Sequence, residues 1–236
     1  MKSNPTVNRS IERSACQIRS ERTRQRLIEV AVGVFSELGY EATSTRIIAE
    51  QAQTSQISIF YYFGSKRGLY RAAAEFVGLN VARLFQPVCE IARQGLASTV
   101  LTHGQTLSMF IEFIAGIMRA ESDAGTPNSW IKFYRRERRN PTEALEIVNT
   151  QYASTFEVGL EFISRLTKLP SKAAETRLQL LAVLSMSELL RTNRRWVLGI
   201  VGWKAFGEEE AQILDSTLRN NLRALYASNE LVGNEN

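Results

Sequence analysis

Apolar side chains recur at three- and four-residue steps along most of this 236-residue chain, and no other feature restricts the fold as strongly. This spacing matches the 3.6 residues of a helical turn, because it places the apolar residues on one face. No segment shows the apolar–polar alternation that is typical of strands. The sequence therefore predicts an all-α protein. We expect helices at 21–38, 45–52, 56–62, 66–84, 88–97, 103–121, 127–138, 141–168, 171–200 and 207–228.

Glycine, asparagine and proline residues are expected to define two of these helix ends. Gly39 is expected to stop the first helix, because glycine readily adopts the left-handed conformation found after helix C-termini. Asn140 followed by Pro141 is expected to open a later helix, with asparagine as the N-cap and proline at the first position.

Positive charge is concentrated in the first third of the chain. Residues 1–85 carry 12 basic and 7 acidic side chains, whereas residues 86–236 carry 17 of each. Residues 1–26 alone carry seven basic and two acidic side chains, so we expect a flexible basic arm over residues 1–20. A localised basic excess favours an acidic partner such as nucleic acid.

Several other classes of protein are disfavoured. The longest uncharged run, residues 94–111, is too polar to cross a bilayer. The basic N-terminus lacks the apolar segment of a secretory signal, so we expect a cytoplasmic protein with no membrane partner. Two cysteines and one histidine, His103, form no metal-ligand or nucleophile pattern. The sequence thus predicts no metal site, no cofactor and no enzymatic activity.

Two short helices separated by Gln53 and Thr54 have the layout of a helix-turn-helix motif over residues 44–63. In that motif the second helix enters the DNA major groove. Its first residues suit base edges, since Gln56 offers an amide and Ile57 can contact a thymine methyl group. Nearby hydroxyls and Lys66 can bind phosphates. The predicted DNA-contact residues are Ser44, Thr45, Arg46, Ser55, Gln56, Ile57, Ser58, Tyr61, Tyr62 and Lys66.

The same spacing would also suit a small three-helix subdomain with partly buried tyrosines and solvated basic residues. The basic arm beside the motif favours DNA binding over this alternative.

The N-terminal residues resemble the DNA-binding domain of the TetR/AcrR family of transcriptional regulators. The resemblance covers about residues 21–81 and rests on Phe35–Ser44, Ile48–Ala52 and Tyr61–Lys66, which agree in order and distance. It implies an all-helical homodimer that binds double-stranded operator DNA through its first three helices. It also implies a repressor that is released by a small-molecule effector. Among the predicted contacts, the positions that match family contacts are Thr45, Arg46, Gln56, Ile57, Ser58, Tyr61 and Lys66.

Three residues depart from the family pattern. Gln53 stands where glycine often makes the turn, so we expect an unusual backbone conformation there. Ile57 replaces a frequent glycine, and Phe60 replaces a frequent tyrosine whose hydroxyl can bind phosphate.

Residues 82–236 resemble the C-terminal domain of the CecR (CerR) branch of the family. The resemblance rests on Phe133–Glu137 followed by Asn140–Thr142, and on Leu198–Trp203. It implies a helical-bundle domain for effector binding and dimerisation, in a branch associated with drug-related ligands.

Aromatic and methionine side chains over residues 105–165 could line an apolar ligand cavity, although the same spacing is what any bundle core requires. Glu112 could bind a cationic ligand or lie on a solvated edge. The arginines at 135, 136, 138 and 139 could bind an anion or DNA, or form a solvated helix end. The candidate ligand residues are Met109, Phe110, Glu112, Phe113, Trp130, Phe133, Tyr152 and Phe156.

The segment 178–190 is apolar over most of its circumference, and a leucine stripe runs along 207–228. Such helices need cover on several sides, which a helix-bundle dimer provides. The predicted interface residues are Leu181, Ser185, Leu189, Leu214, Leu218 and Leu222. A ligand-independent DNA-binding regulatory or architectural protein is the alternative to a ligand-released repressor.

Overall fold

A computed structural model describes residues 5–98, 100–122 and 127–227, and throughout this part of the chain the regular elements are α-helices. The all-α prediction is therefore confirmed. The helices are α1 (Pro5–Ala42), α2 (Thr45–Gln51), α3 (Gln56–Phe63), α4 (Lys66–Leu96), α5 (His103–Ser122), α6 (Asn128–Arg139), α7 (Glu143–Thr167), α8 (Ala174–Thr192), α9 (Arg194–Val201) and α10 (Glu208–Leu225). Among these helices, none combines the length and apolar character that a bilayer-spanning segment requires.

The chain divides into two compact units. The first comprises residues 1–80 and 126–151, and the second comprises residues 81–125 and 152–236. The segment 126–151, which the sequence grouped with the C-terminal domain, therefore folds with the N-terminal helices.

Helix α1 is longer than the sequence predicted. It begins at Pro5 rather than near Glu21, so the helix includes residues 5–20 of the expected basic arm. Proline suits the first helical position, and no glycine or proline interrupts residues 6–32. As expected, the regular helix is interrupted at Gly39, which has φ 80° and ψ 173°.

Three other helix boundaries differ from the predictions. Helix α4 runs through Pro87 as one element, because a helix can accept a proline at the cost of one hydrogen bond and a local bend. Helix α7 begins at Glu143, where the Thr142 hydroxyl accepts a hydrogen bond from the Ala144 amide at 3.1 Å. Asn140 instead ends α6. Asn193 separates α8 from α9, which the sequence predicted as one helix.

The core of the first unit anchors the two short helices. Ile48 of α2 and Ile59 of α3 are fully buried together with Phe35 of α1 and Leu69 of α4. Burying an isoleucine side chain contributes about 1.5–3 kcal/mol. Together with Ala49 of α2, these buried residues fix which face of each short helix points outward.

The core of the second unit contains Phe110, Phe113 and Phe162. The centre of the Phe162 ring lies 5.6 Å from the ring centres of both Phe110 and Phe113. Leu218 and Leu222 of α10 belong to this core and are 1% and 2% exposed. They bury their side chains within their own chain, so their prediction as dimer-interface residues is wrong. Leu214 is partly buried, whereas Leu181, Ser185 and Leu189 of α8 are exposed.

Candidate nucleic-acid interface

The start of α2 is fixed by a side-chain cap. Ser44 has an extended backbone, and its Oγ accepts a hydrogen bond from the Ile47 amide at 3.2 Å. A serine at this position satisfies an amide that lacks a helical partner. Thr45 follows as the first helical residue and is partly buried. Ser44 thus has a structural role in addition to any contact with DNA.

The turn between α2 and α3 contains the unusual backbone that the sequence predicted. Gln53 has φ 50°, and Ala52 beside it is fully buried. A left-handed conformation costs about 1–2 kcal/mol for a residue with a Cβ atom. The amide of Thr54 donates to the Ala49 carbonyl at 2.9 Å, which closes the turn.

Three hydroxyl groups meet at the start of α3. Ser55 caps the helix by accepting from the Ser58 amide at 3.3 Å. The Ser58 Oγ lies 3.1 Å from both the Thr54 Oγ1 and the Ser55 Oγ. Ser58 is therefore engaged with the turn in addition to its predicted contact with DNA.

One face of α3 projects large side chains into solvent. Ile57 is 78% exposed, Tyr61 is 79% exposed and Phe60 is 52% exposed, and the amide of Gln56 lies beside them. Exposed apolar groups clustered on a short helix are typical of a recognition surface. From the sequence, Phe60 was notable only for lacking the hydroxyl of the tyrosine that is frequent at this position. Its position, four residues after Gln56 and three after Ile57, could have placed it on this face.

Tyr62 and Lys66 connect α3 and α4 to α1. The Tyr62 hydroxyl lies 3.0 Å from the Ser20 Oγ. The Lys66 Nζ donates to the Glu41 carbonyl at 3.3 Å and lies 4.4 Å from the centre of the Tyr40 ring. Both side chains are partly buried, so each has a positioning role in addition to any contact with phosphate.

Two arginines near the motif carry positive charge. Arg46 forms an exposed ion pair with Glu50 at 2.8 Å, and this hydrogen bond raises the pKa of Arg46. Exposed pairs of this kind are weak, so a phosphate can compete for Arg46. The Arg24 guanidinium lies 5.5 Å from the centre of the Phe63 ring at the end of α3. The sequence counted Arg24 among the N-terminal basic residues and could not locate it beside α3.

The predicted ligand residues are divided between the two units. Trp130 contacts Phe76, and Phe133 contacts Tyr70, in the first unit. The other six candidates, Met109, Phe110, Glu112, Phe113, Tyr152 and Phe156, belong to the second unit. Phe110, Phe113, Phe133 and Tyr152 are buried, while Met109, Trp130 and Phe156 are partly buried. Their burial fits the alternative of core packing, and their role as ligand residues stays a prediction.

Glu112 has cationic neighbours within its own chain. Its carboxylate accepts a hydrogen bond from Arg219 at 2.5 Å, and Arg119 lies 3.9 Å away. The bond from Arg219 lowers the pKa of Glu112. The alternative interpretation, a residue on a solvated edge, matches its exposed position.

The second unit has a surface groove of about 500 Å³ that the sequence did not indicate. Two cationic side chains and an indole contribute to its walls. The lining residues are Arg195, Leu198, Gly199, Trp203 and Lys204.

The arginine-rich end of α6 divides into two sets. Arg135, Arg138 and Arg139 are exposed. Arg136 instead reaches the carbonyl groups of Ser36 and Glu37 in α1.

The first unit matches the family model described as "Bacterial regulatory proteins, tetR family" over residues 27–73. A second model, for the C-terminal domain of the HTH-type transcriptional dual regulator CecR, matches residues 105–228. The chain is 30% identical to that dual regulator from Shigella flexneri over 211 residues, which cover 86% of this chain and 91% of the relative. It is 27% identical to the HTH-type transcriptional repressor AcnR of Corynebacterium diphtheriae over 112 residues, 48% of this chain and 57% of AcnR.

Two solved structures are similar in fold. A TetR-like regulator from Rhodococcus sp. RHA1 matches with a TM-score of 0.54 and 20% identity, covering 87% of this chain and 97% of its own. The TetR family regulator PfmR of Thermus thermophilus matches with a TM-score of 0.51 and 18% identity, covering 87% of this chain and 99% of its own.

Proposed function

Since the chain belongs to the TetR family of transcriptional regulators and has a CecR-type C-terminal domain, we propose that it is a homodimeric repressor that a small molecule releases from a palindromic operator. Its relatives are DNA-binding regulators of transcription and not enzymes. The family binds operator DNA as dimers, and this chain has the helix-turn-helix domain for that activity.

The exposed face of α3 is the observation that carries the proposal. Gln56 can form two hydrogen bonds with an adenine, and Ile57 can contact a thymine methyl group. Tyr61 can donate its hydroxyl to a phosphate, and Lys66 at the start of α4 adds positive charge. The short helix thus offers base-reading groups flanked by phosphate-binding groups, which is the arrangement that sequence-specific binding requires.

Exposed apolar residues in the second unit support dimerisation. Leu181 and Leu189 on α8 are 52% and 43% exposed, and Leu225 on α10 is 61% exposed. A second copy of the chain would cover such residues. In the dimer, two α3 helices would enter successive major grooves about 34–36 Å apart.

Release requires only that the effector prefer the conformation that does not fit the operator. A coupling of about 1–3 kcal/mol corresponds to a roughly 5–150-fold loss of operator affinity. The alternative function, a ligand-independent DNA-binding regulatory or architectural protein, would share the α3 surface and lack this coupling. Stabilisation of the chain by a compound that also lowers operator affinity would separate the two.

The first test selects binding sites from a random pool of DNA duplexes with the wild-type chain. A palindromic consensus bound by two chains is the expected result. Against this consensus, Gln56→Ala should lose about 5–150-fold in discrimination at one base position. Lys66→Ala should weaken binding to every sequence and reduce the slope of log affinity against log salt by about one.

Gln212→Ala on α10 is the matched control, because it removes an exposed glutamine from the second unit. It should bind DNA as the wild type does. If no sequence is enriched, or if Gln56→Ala weakens selected and random DNA equally, the base-reading role of α3 is contradicted.

A further inference from the structure

Helix α6 lies against the DNA-binding helices although it comes from the second half of the sequence. It packs against α1, and both helices belong to the first unit. Lys132 of α6 forms an ion pair with Glu37 of α1 at 2.5 Å. This exposed pair contributes little by itself. Two neighbouring residues of α6 make more specific connections.

Arg136 binds the end of α1. Its Nε donates to the Ser36 carbonyl at 3.3 Å, and its NH2 group donates to the Glu37 carbonyl at 2.5 Å. Because Gly39 leaves the helical conformation, carbonyl groups in the preceding turn lose regular helical partners. A guanidinium can satisfy two such carbonyls at once, since its donors are held in a planar fork. Arg136 thus holds the turn of α1 that precedes the interruption at Gly39, close to where the chain turns towards α2.

The close approach of Arg136 also depends on Gly39. A Cβ atom at residue 39 would lie 2.6 Å from an Arg136 guanidinium nitrogen. The positive φ of Gly39 and the absence of a side chain therefore both favour this contact.

Glu137 connects α6 to two further elements. Its carboxylate is 2% exposed and accepts hydrogen bonds from the Tyr70 hydroxyl of α4 and the Thr142 hydroxyl, the latter at 2.6 Å. Burial raises the pKa of Tyr70, so the phenol keeps its proton and remains the donor. The Tyr70 ring lies 4.7 Å from Phe35 and 4.8 Å from Tyr40. Glu137 therefore ties the start of α7 and the first turns of α4 to α6.

These contacts hold the two helices that precede and follow the α2–α3 segment, namely α1 and α4. Helix α2 follows the end of α1 after two residues, and α4 follows α3 after two residues. Lys66 at the start of α4 bonds to the Glu41 carbonyl near the end of α1. Fixing the end of α1 and the start of α4 therefore restricts the position of the α2–α3 segment between them.

We propose that Arg136 and Glu137 of α6 are positioning residues that set the orientation of α3 for reading DNA. The proposal rests on the proposed function, since it concerns the same DNA-binding surface. Neither residue lies on the exposed face of α3. They act through α1 and α4, because base contacts demand that side chains be held within a fraction of an ångström.

The test compares Arg136→Ala with Arg139→Ala, which removes one exposed positive charge from the same helix. Affinity is measured for the duplex selected by the wild-type chain and for a shuffled duplex of the same composition, well below the unfolding temperature. We expect Arg136→Ala to lose about 5–150-fold on the selected duplex, the discrimination that a bidentate base contact supplies. On the shuffled duplex it should bind as Arg139→Ala does. Arg136→Lys should recover part of the loss.

Val148→Ala controls for a general loss of stability, because it trims a buried side chain of α7 in the first unit and keeps Arg136, Glu137 and Tyr70. It should retain selected-duplex affinity at temperatures where it is folded. If Arg136→Ala does not fold, Tyr70→Phe replaces it, because this substitution removes only the hydroxyl that binds Glu137. Its expected result is again a loss confined to the selected duplex.

Two outcomes overturn the proposal. Equal losses on selected and shuffled DNA would make Arg136 a direct phosphate contact, and unchanged affinity on both would make its role purely structural. If the wild-type chain selects no duplex, the proposed function fails instead, and the two failures are distinguishable.

Discussion

The two units place large apolar side chains in opposite environments. In the first unit, Ile57 and Tyr61 of α3 are 78% and 79% exposed. In the second unit, Phe110 and Phe162 are fully buried against each other. Both sets recur at helical spacing, so residue type and period do not separate them. Exposure separates them, and it marks α3 as the surface available for a partner.

The units also differ in how they use carboxylates. Glu137 in the first unit is buried and bonded to Tyr70 and Thr142. Glu112 in the second unit is exposed and paired with Arg219. A buried carboxylate needs fixed donors, because leaving it unsatisfied costs several kcal/mol. An exposed carboxylate tolerates the loss of its partner. The polar contacts of Glu137 are therefore more important for the first unit than those of Glu112 are for the second.

The largest expected effect on the free energy of unfolding is the difference between truncating a core side chain and truncating an exposed one. Phe110→Ala should lower the free energy of unfolding by about 3–5 kcal/mol, because its ring is fully buried beside Phe162 and Tyr226. Ile57→Ala should change it by less than about 0.5 kcal/mol. Urea denaturation of both variants measures the difference. A loss near zero for Phe110→Ala would favour the cavity interpretation of these aromatic residues.

Substituting two glycines of α1 should have smaller effects on the stability of the first unit. Gly39→Ala should destabilise the chain by about 1–3 kcal/mol, because φ 80° with ψ 173° is essentially restricted to glycine. Gly33→Ala should stabilise it by about 0.5–1 kcal/mol, since a Cβ atom there meets open space within a regular helix. Thermal unfolding distinguishes the two substitutions. Equal effects would show that the interruption at Gly39 is not required.

The smallest effect is expected at the exposed carboxylate. Glu112→Gln should cost only about 0.2–1 kcal/mol at neutral pH, since the Glu112 side chain is 61% exposed. Because Arg219 lowers the pKa of Glu112, the ion pair stabilises the fold above the ordinary glutamate pKa. This contribution is lost as the pH falls through the lowered value.

Unfolding measured across acidic pH should therefore show the wild type and Glu112→Gln converging as the pH falls. High salt should also narrow the difference at neutral pH. A gap that widens in acid would contradict the assigned ion pair.

Much of the fold was predictable from local signals. Apolar spacing predicted the helical class, and a serine, a typical N-cap, directly precedes each of the expected helices 45–52 and 56–62; Ser44 and Ser55 cap α2 and α3. Gln53 was expected to have an unusual backbone because it occupies a turn position, and its φ of 50° agrees. These signals act within a few residues of one another, which is why they are present in the sequence.

Other features depended on contacts between distant residues. Leu218 and Leu222 formed a stripe that suited a dimer interface, but α10 buries them in its own unit. Tyr62 was expected to contact phosphate or to be partly buried, and only the structure places its hydroxyl beside Ser20. Apolar periodicity predicts which face of a helix is buried. It does not predict whether that face packs against the same chain or against a partner.

The sequence by itself determined an all-helical chain with a helix-turn-helix motif beside a basic segment. The tertiary structure decided that α6 joins the DNA-binding unit and that Arg136 reaches carbonyls about 100 residues earlier in the chain. Helices form from interactions three or four residues apart, whereas these contacts depend on how whole helices pack. Local spacing therefore predicts the elements, and only packing determines which buried polar groups become partners.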